Sequence, residues 1–157
     1  MPARPLVKLD KIDVDKVLVD QKGIYTLNPH RYEFMLLDGI VYEDTKDQVI
    51  VGYRDVKEGE FWVRGHIPGR PLFPGVLMIE TAAQLVSYYA LKLQHRKDFL
   101  GFAGVDDVKF RGTVTIGDRL IMVGKMIEMR DRRCIGETQG YVDGRQVFQG
   151  RISGMWM

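Results

Sequence analysis

The chain has 157 residues, enough for one domain with its own core and no need of a disulfide or structural metal. Hydrophobic residues make up 45% and charged residues 28%, a balance that excludes the compositional extremes of disordered and membrane-spanning chains. The formal net charge of +2 is too small for the concentrated basic footprint of a nucleic-acid binder, and the single cysteine, Cys134, excludes an intrachain disulfide and points to a reducing compartment.

The first 20 residues, MPARPLVKLDKIDVDKVLVD, carry charges every few positions and no apolar stretch of the signal-peptide kind, which predicts a cytoplasmic location. Residues 1–27 read as an N-terminal arm. Within it Ile12, Val14, Val17 and Leu18 have mixed spacing that permits either a short helix or an irregular segment. Residues 28–157 read as a single domain. FMLLDGIVYED and QVIVGYRDV, rich in β-branched and aromatic residues, predict two strands separated by the polar residues 43–47.

The loop GHIPGRPLFPG follows at residues 65–75, with Pro68, Pro71 and Pro74 at every third position. Each proline fixes its own φ and biases its predecessor toward extended backbone, so the loop is expected to be stiff. Residues 75–96 then predict one long helix. Past Gly75 they contain no glycine or proline, Pro74 lies where a helix start tolerates it, and Lys92, His95 and Arg96 gather at the C-terminal end. Four further runs, FLGFAGVDDVKF, RLIMVGKMIEMRD, CIGETQGYVDG and QVFQGRISGMWM, predict strands separated by glycine- and aspartate-rich turns. No stretch is long and apolar enough to span a membrane.

Apolar positions cover every direction around the predicted helix, as expected of a helix buried on most sides. One such helix against about six strands points to an α+β fold, an antiparallel sheet wrapped around one long central helix, the hot-dog shape; a helix on one face of an open sheet is the alternative, and it would leave several of these apolar residues exposed.

Polar groups in apolar surroundings are the places to look for chemistry. Glu80 and Gln84 stand four residues apart on one face of the apolar helix. A carboxyl buried there is costly unless paired or neutralised, and a raised pKa would suit it to general-acid work; a structural ion pair with an arginine is the alternative. His66 stands at the entry of the stiff loop, and the free N–H groups of the helix start, at Gly75 and Val76, can polarise a carbonyl oxygen. Base, acid and carbonyl-polarising donors together describe addition or elimination of water next to a carbonyl. The three histidines, His30, His66 and His95, show no metal-binding spacing, and no dinucleotide or Walker motif is present.

The segment GHIPGRPLFPGVLMIETAAQ closely resembles the signature of FabZ-type (3R)-3-hydroxyacyl-[acyl-carrier-protein] dehydratases. NPHRYEFMLLD and FAGVDDVKFRGTVTIGD resemble the opening and a later strand of the same family, so the likeness spans residues 28–153. The resemblance implies a hydro-lyase of the hot-dog fold, acting in fatty acid biosynthesis or a related acyl pathway without metal or redox cofactor. It implies His66 as the base at C2, Glu80 as the acid at the C3 hydroxyl, Gly75 as the backbone donor to the thioester carbonyl, and Gln84 as a support for Glu80. It further implies acyl carrier protein as partner and a homodimer, or a trimer of dimers, in which His and Glu come from opposite subunits. On this reading Phe73, Pro74, Val76 and Phe102 are expected to wall an apolar tunnel. Glu33, Ile67, Thr113 and Ile116 depart from the family's usual residues. A non-catalytic acyl-thioester-binding module and a hot-dog thioesterase are the competing readings.

Overall fold

The computed structural model describes all of residues 1–157. Seven strands form one antiparallel sheet: β1 (Val19–Asp20), β2 (Gly39–Asp44), β3 (Val49–Asp55), β4 (Leu100–Phe110), β5 (Arg119–Met129), β6 (Arg133–Val142) and β7 (Arg145–Trp156). Their order across the sheet is β1-β2-β3-β5-β6-β7-β4, so β1 and β4 are its two edges. The helix α2 (Gly75–Gln94) lies against one face and touches β3, β4, β5, β6 and β7. This is the expected α+β arrangement, with one strand more than the six expected. The extra strand is β1, a two-residue pairing with Ile40 and Gly39.

Three boundaries differ from the sequence expectation, each for a local reason. The strand expected from Phe34 begins at Gly39, because the Gln84 side chain takes up backbone groups that a ladder would have used: it accepts from Leu36 N–H (2.9 Å) and donates to the Phe34 carbonyl (2.8 Å). The long helix stops at Gln94 rather than running to residue 96. His95 turns left-handed (φ +52°), and its amide and that of Arg96 fold back onto the Lys92 and Leu91 carbonyls. In the arm, only Leu9–Lys11 makes a 3₁₀ turn; the short helix α1 lies further on, at Gln21–Tyr25, where Asp20 caps it by accepting from Gly23 N–H.

The main core fills the space between α2 and the sheet, with Ala82, Leu85 and Tyr89 of the helix fully buried alongside Ile50, Met122 and Phe148. Close approach needs a small residue on β6: a Cβ at Gly136 would stand 2.8 Å from a Val86 methyl. The opposite face of the sheet carries a second apolar cluster, Val41, Val49, Val51, Tyr53, Ile121, Val123 and Tyr141, roofed by Leu6, Val7, Leu9, Ile12 and Val14 of the arm. No helix is long and apolar enough to cross a membrane.

Candidate functional site

Glu80 lies near the start of α2 and projects into a cavity of about 180 Å³ between the helix, the start of β4 and residues 152–154 of β7. The walls are largely apolar, with Val86, Leu100, Phe102 and Ile152 among them, and Ser87 and Ser153 add hydroxyls. Gln84, one helical turn on, is completely buried and donates from Nε2 to Glu80 Oε1 at 3.0 Å. Its own position is over-determined. Leu36 N–H and the Phe34 carbonyl hold its amide, and Asn28 Nδ2 donates to its backbone carbonyl at 2.9 Å. Segment 28–36 is thereby clamped onto the helix beside Glu80.

That clamp delivers a residue the sequence reasoning did not place in the site. His30 lines the same cavity, with Nε2 3.5 Å from Glu80 Oε1. Burial pushes its imidazole below the ordinary value of 6.5; the Glu80 charge opposes this and Arg31 reinforces it. The three histidines have no metal-binding spacing, and nothing in a linear sequence shows that residue 30 returns to the helix 50 positions later. Its only sequence signal was its place in the NPHRYEFMLLD stretch.

His66 stands apart, exposed on the proline loop and outside the Glu80 cavity. The loop's base is firmly held. Trp62 packs edge-on against Phe73 with ring centroids 5.4 Å apart, and His66 N–H donates to the Trp62 carbonyl. Glu60 accepts from Trp62 Nε1 and from Lys57 N–H while pairing with Arg54, which also pairs with Asp38. His66 Nδ1 lies 2.8 Å from the Leu72 carbonyl oxygen. A carbonyl can only accept, so the neutral ring carries its hydrogen on Nδ1 and leaves the Nε2 lone pair free to act as a base.

The helix start is uncapped by any side chain. Leu77 and Met78 amides both reach the Pro74 carbonyl, which leaves Gly75 and Val76 N–H without an intrahelical acceptor. Gly75 is required there by crowding, since a Cβ would meet the Phe110 ring at 2.9 Å. Of the residues expected to wall a tunnel, Phe102 lines the cavity. Phe73 and Pro74 are instead buried beneath the helix start, and Val76 is 69% exposed. One chain therefore brings together Glu80, Gln84 and Phe102, and keeps His66 and Gly75 outside that cavity.

Residues 28–151 match the family model described as the FabA-like domain. The chain is 33% identical over 143 residues to a 3-hydroxyacyl-[acyl-carrier-protein] dehydratase FabZ of Campylobacter jejuni, covering 88% of this chain and 97% of that protein. It is 36% identical over 137 residues to the FabZ of Desulfotalea psychrophila, covering 85% and 91%. Among solved structures it is similar to the dehydratase heterocomplex ApeI:P of Xenorhabdus doucetiae, with a TM-score of 0.72 at 16% identity over 85% of this chain and 90% of that one; at that identity the likeness speaks for the fold.

Proposed function

The chain belongs to the FabA-like family, and from that premise we infer that it is a FabZ-type hydro-lyase, dehydrating 3-hydroxyacyl-[acyl-carrier-protein] to trans-2-enoyl-[acyl-carrier-protein] in fatty acid biosynthesis. The observation that carries this reading to particular residues is Glu80, a carboxyl aimed into an apolar-walled cavity with one oxygen held by Gln84.

Glu80 is the acid and His66 the base. The bare Nε2 of His66 takes the proton from C2 of the substrate, and that electron pair forms the C2–C3 double bond. The C3–O bond breaks, and the hydroxyl leaves as water with the Glu80 proton. Gly75 and Val76 N–H face the thioester oxygen as charge develops on it. Phe102 and its neighbours take the acyl chain. The finished turn leaves a proton on His66 and a vacancy on Glu80, which exchange with solvent resets.

Since one chain keeps His66 outside the Glu80 cavity, the working site belongs to a homodimer. Edge strand β4 supports this. It is 11 residues long, uncovered, and presents Phe102, Val105 and Phe110 partly exposed. Its Phe110 end touches the helix start at Gly75 and its Phe102 end lines the Glu80 cavity. Antiparallel pairing of two such edges reverses direction, so the helix-start end of one copy approaches the cavity end of the other. The buried lone cysteine and the acyl-carrier-protein substrate suit action in the cytoplasm.

The test is a spectrophotometric assay of crotonyl and 3-hydroxybutyryl thioesters with free thiol followed in parallel. Interconversion without thiol release is expected; thiol release would instead identify a thioesterase, and neither signal a binding module. His66→Ala and Glu80→Ala should each abolish turnover, and mixing them under subunit exchange should restore part of it.

A further inference from the structure

Two side chains meet the Glu80 carboxyl, and the proposed dehydration uses only one of them, Gln84. Gln84 Nε2 donates to Oε1, and His30 Nε2 faces the same oxygen at 3.5 Å. Oε2 has no partner among the hydrogen bonds or ion pairs of the chain. The two oxygens are thus unequal: Oε1 is bonded by Gln84 and faced by His30, and Oε2 has neither contact.

We propose that His30 is a positioning residue for the acid, a neutral imidazole whose Nε2–H holds Glu80 Oε1 so that Oε2 is the oxygen that carries and delivers the proton. This rests on the reading of Glu80 as the acid. A protonated carboxyl has one carbonyl-type oxygen that accepts and one hydroxyl oxygen that donates. Two donors converging on Oε1 assign it the accepting role. The hydroxyl is then left on Oε2.

The surroundings of His30 fit a neutral ring with its hydrogen on Nε2. Nδ1 is buried and has no donor or acceptor within reach, so a hydrogen there would be wasted while Nε2 met a carboxyl oxygen with a lone pair. Burial also disfavours the imidazolium, which would otherwise draw the proton off Glu80 and form an ion pair. The one nearby cation, Arg31, is turned onto backbone: its Nη1 donates to the Asn28 and His30 carbonyls, its Nη2 to the Tyr25 carbonyl, and its guanidinium stacks over the Tyr25 ring. Arg31 therefore fixes the backbone that aims His30 and leaves the carboxyl to the imidazole. A separation of 3.5 Å is longer than a formed hydrogen bond, as contacts in an unliganded site commonly are before substrate tightens them.

Substitution and spectroscopy test this from two directions. His30→Leu keeps bulk and loses the donor; His30→Gln places an amide N–H near the Nε2 position. With crotonyl thioester, His30→Leu is expected to lose roughly 10–100-fold in kcat with KM within about threefold of the unsubstituted enzyme. His30→Gln is expected to recover most of that loss. A Leu variant retaining kcat within about twofold, or a Gln variant as impaired as the Leu variant at equal folded fraction, overturns the proposal. The imidazole nitrogen resonances of the unsubstituted protein supply a readout that needs neither variant nor turnover. Protonation on Nε2 with bare Nδ1 is expected, and hydrogen on Nδ1 or an imidazolium at neutral pH overturns it. If the resonances are as expected but the enzyme turns over no hydroxyacyl thioester, the dehydratase reading fails and the His30–Glu80 arrangement stands.

Discussion

Gln84 concentrates more of the site in one side chain than any other residue. It is fully buried and bonds Glu80, the Phe34 carbonyl and the Leu36 amide. Gln84→Leu would strand those backbone groups in a dry environment, at about 1–3 kcal/mol for each unsatisfied group. Urea unfolding is expected to show a loss of at least ~2 kcal/mol, and kcat to fall because the carboxyl loses its anchor. His30 adds a pH dependence with a definite sign. Its folded-state pKa lies below the unfolded value of 6.5, so in between the unfolded chain binds more protons than the folded one. Stability is therefore fully present above 6.5 and falls as pH drops through the depressed value. Unfolding curves at pH 8 and pH 5 should show a smaller difference for His30→Gln than for the unsubstituted protein. Of these two residues the sequence displayed one. Gln84 was visible because helical spacing alone puts it one turn from Glu80. His30 was hidden because its approach to Glu80 depends on Asn28 and Arg31 bending a non-repetitive segment back onto the helix, and no periodicity encodes that.

At the scale of elements, the strands and the helix were legible because their residues obey simple periods, and their ends were not because ends are decided by partners. α2 illustrates both. Its uninterrupted run of helix formers predicts its length to within a turn, and a left-handed His95 decides where it stops. A non-glycine residue there bears a steric penalty that glycine does not. His95→Gly is expected to stabilise the protein by about 0.5–1 kcal/mol, read as a higher urea midpoint with unchanged slope. The turn between β6 and β7 already uses this solution: Asp143 and Gly144 both have positive φ, 50° and 77°, the requirement of a two-residue hairpin with the right twist. β4 is the element whose exposed side carries a functional prediction. Val105→Lys puts a charge at the middle of the edge while leaving the hydrogen bonds to β7 in place. On the dimer reading, light scattering should show a shift toward monomer, with activity falling in proportion. A variant that turned over fully as a monomer would refute the shared site.

For the molecule as a whole, the two faces of the sheet have separate tasks. One face carries α2 and the cavity; the other is apolar as well and is covered only by the arm. The sequence left this cover undecided, because Ile12 and Val14 keep no helical period with Val17 and Leu18. In the structure the first pair packs on the sheet while the second stays exposed, so the irregular spacing records a segment following a surface and not an axis. Polar ties hold the arm in register: Leu6 N–H donates to Gln139 Oε1, Gln139 Nε2 donates to the Arg4 carbonyl, and Ala3 exchanges bonds with Gln146. Five half-buried aliphatic side chains at roughly 1 kcal/mol each would contribute on the order of 5 kcal/mol, offset by the entropy of ordering the segment. Deleting residues 2–18 should therefore lower Tm and expose Val41, Val51, Ile121 and Val123, seen as dye binding and aggregation on warming. The arm and Glu80 lie on opposite sides of the sheet, so kcat per folded molecule at low temperature should survive the deletion. Loss of kcat without loss of folded protein would mean that the arm reaches the active cavity of a neighbouring subunit. Gln139→Ala separates the contributions: it removes both polar ties at Gln139 and leaves the aliphatic roof, so its Tm should fall between those of the full chain and the truncated one.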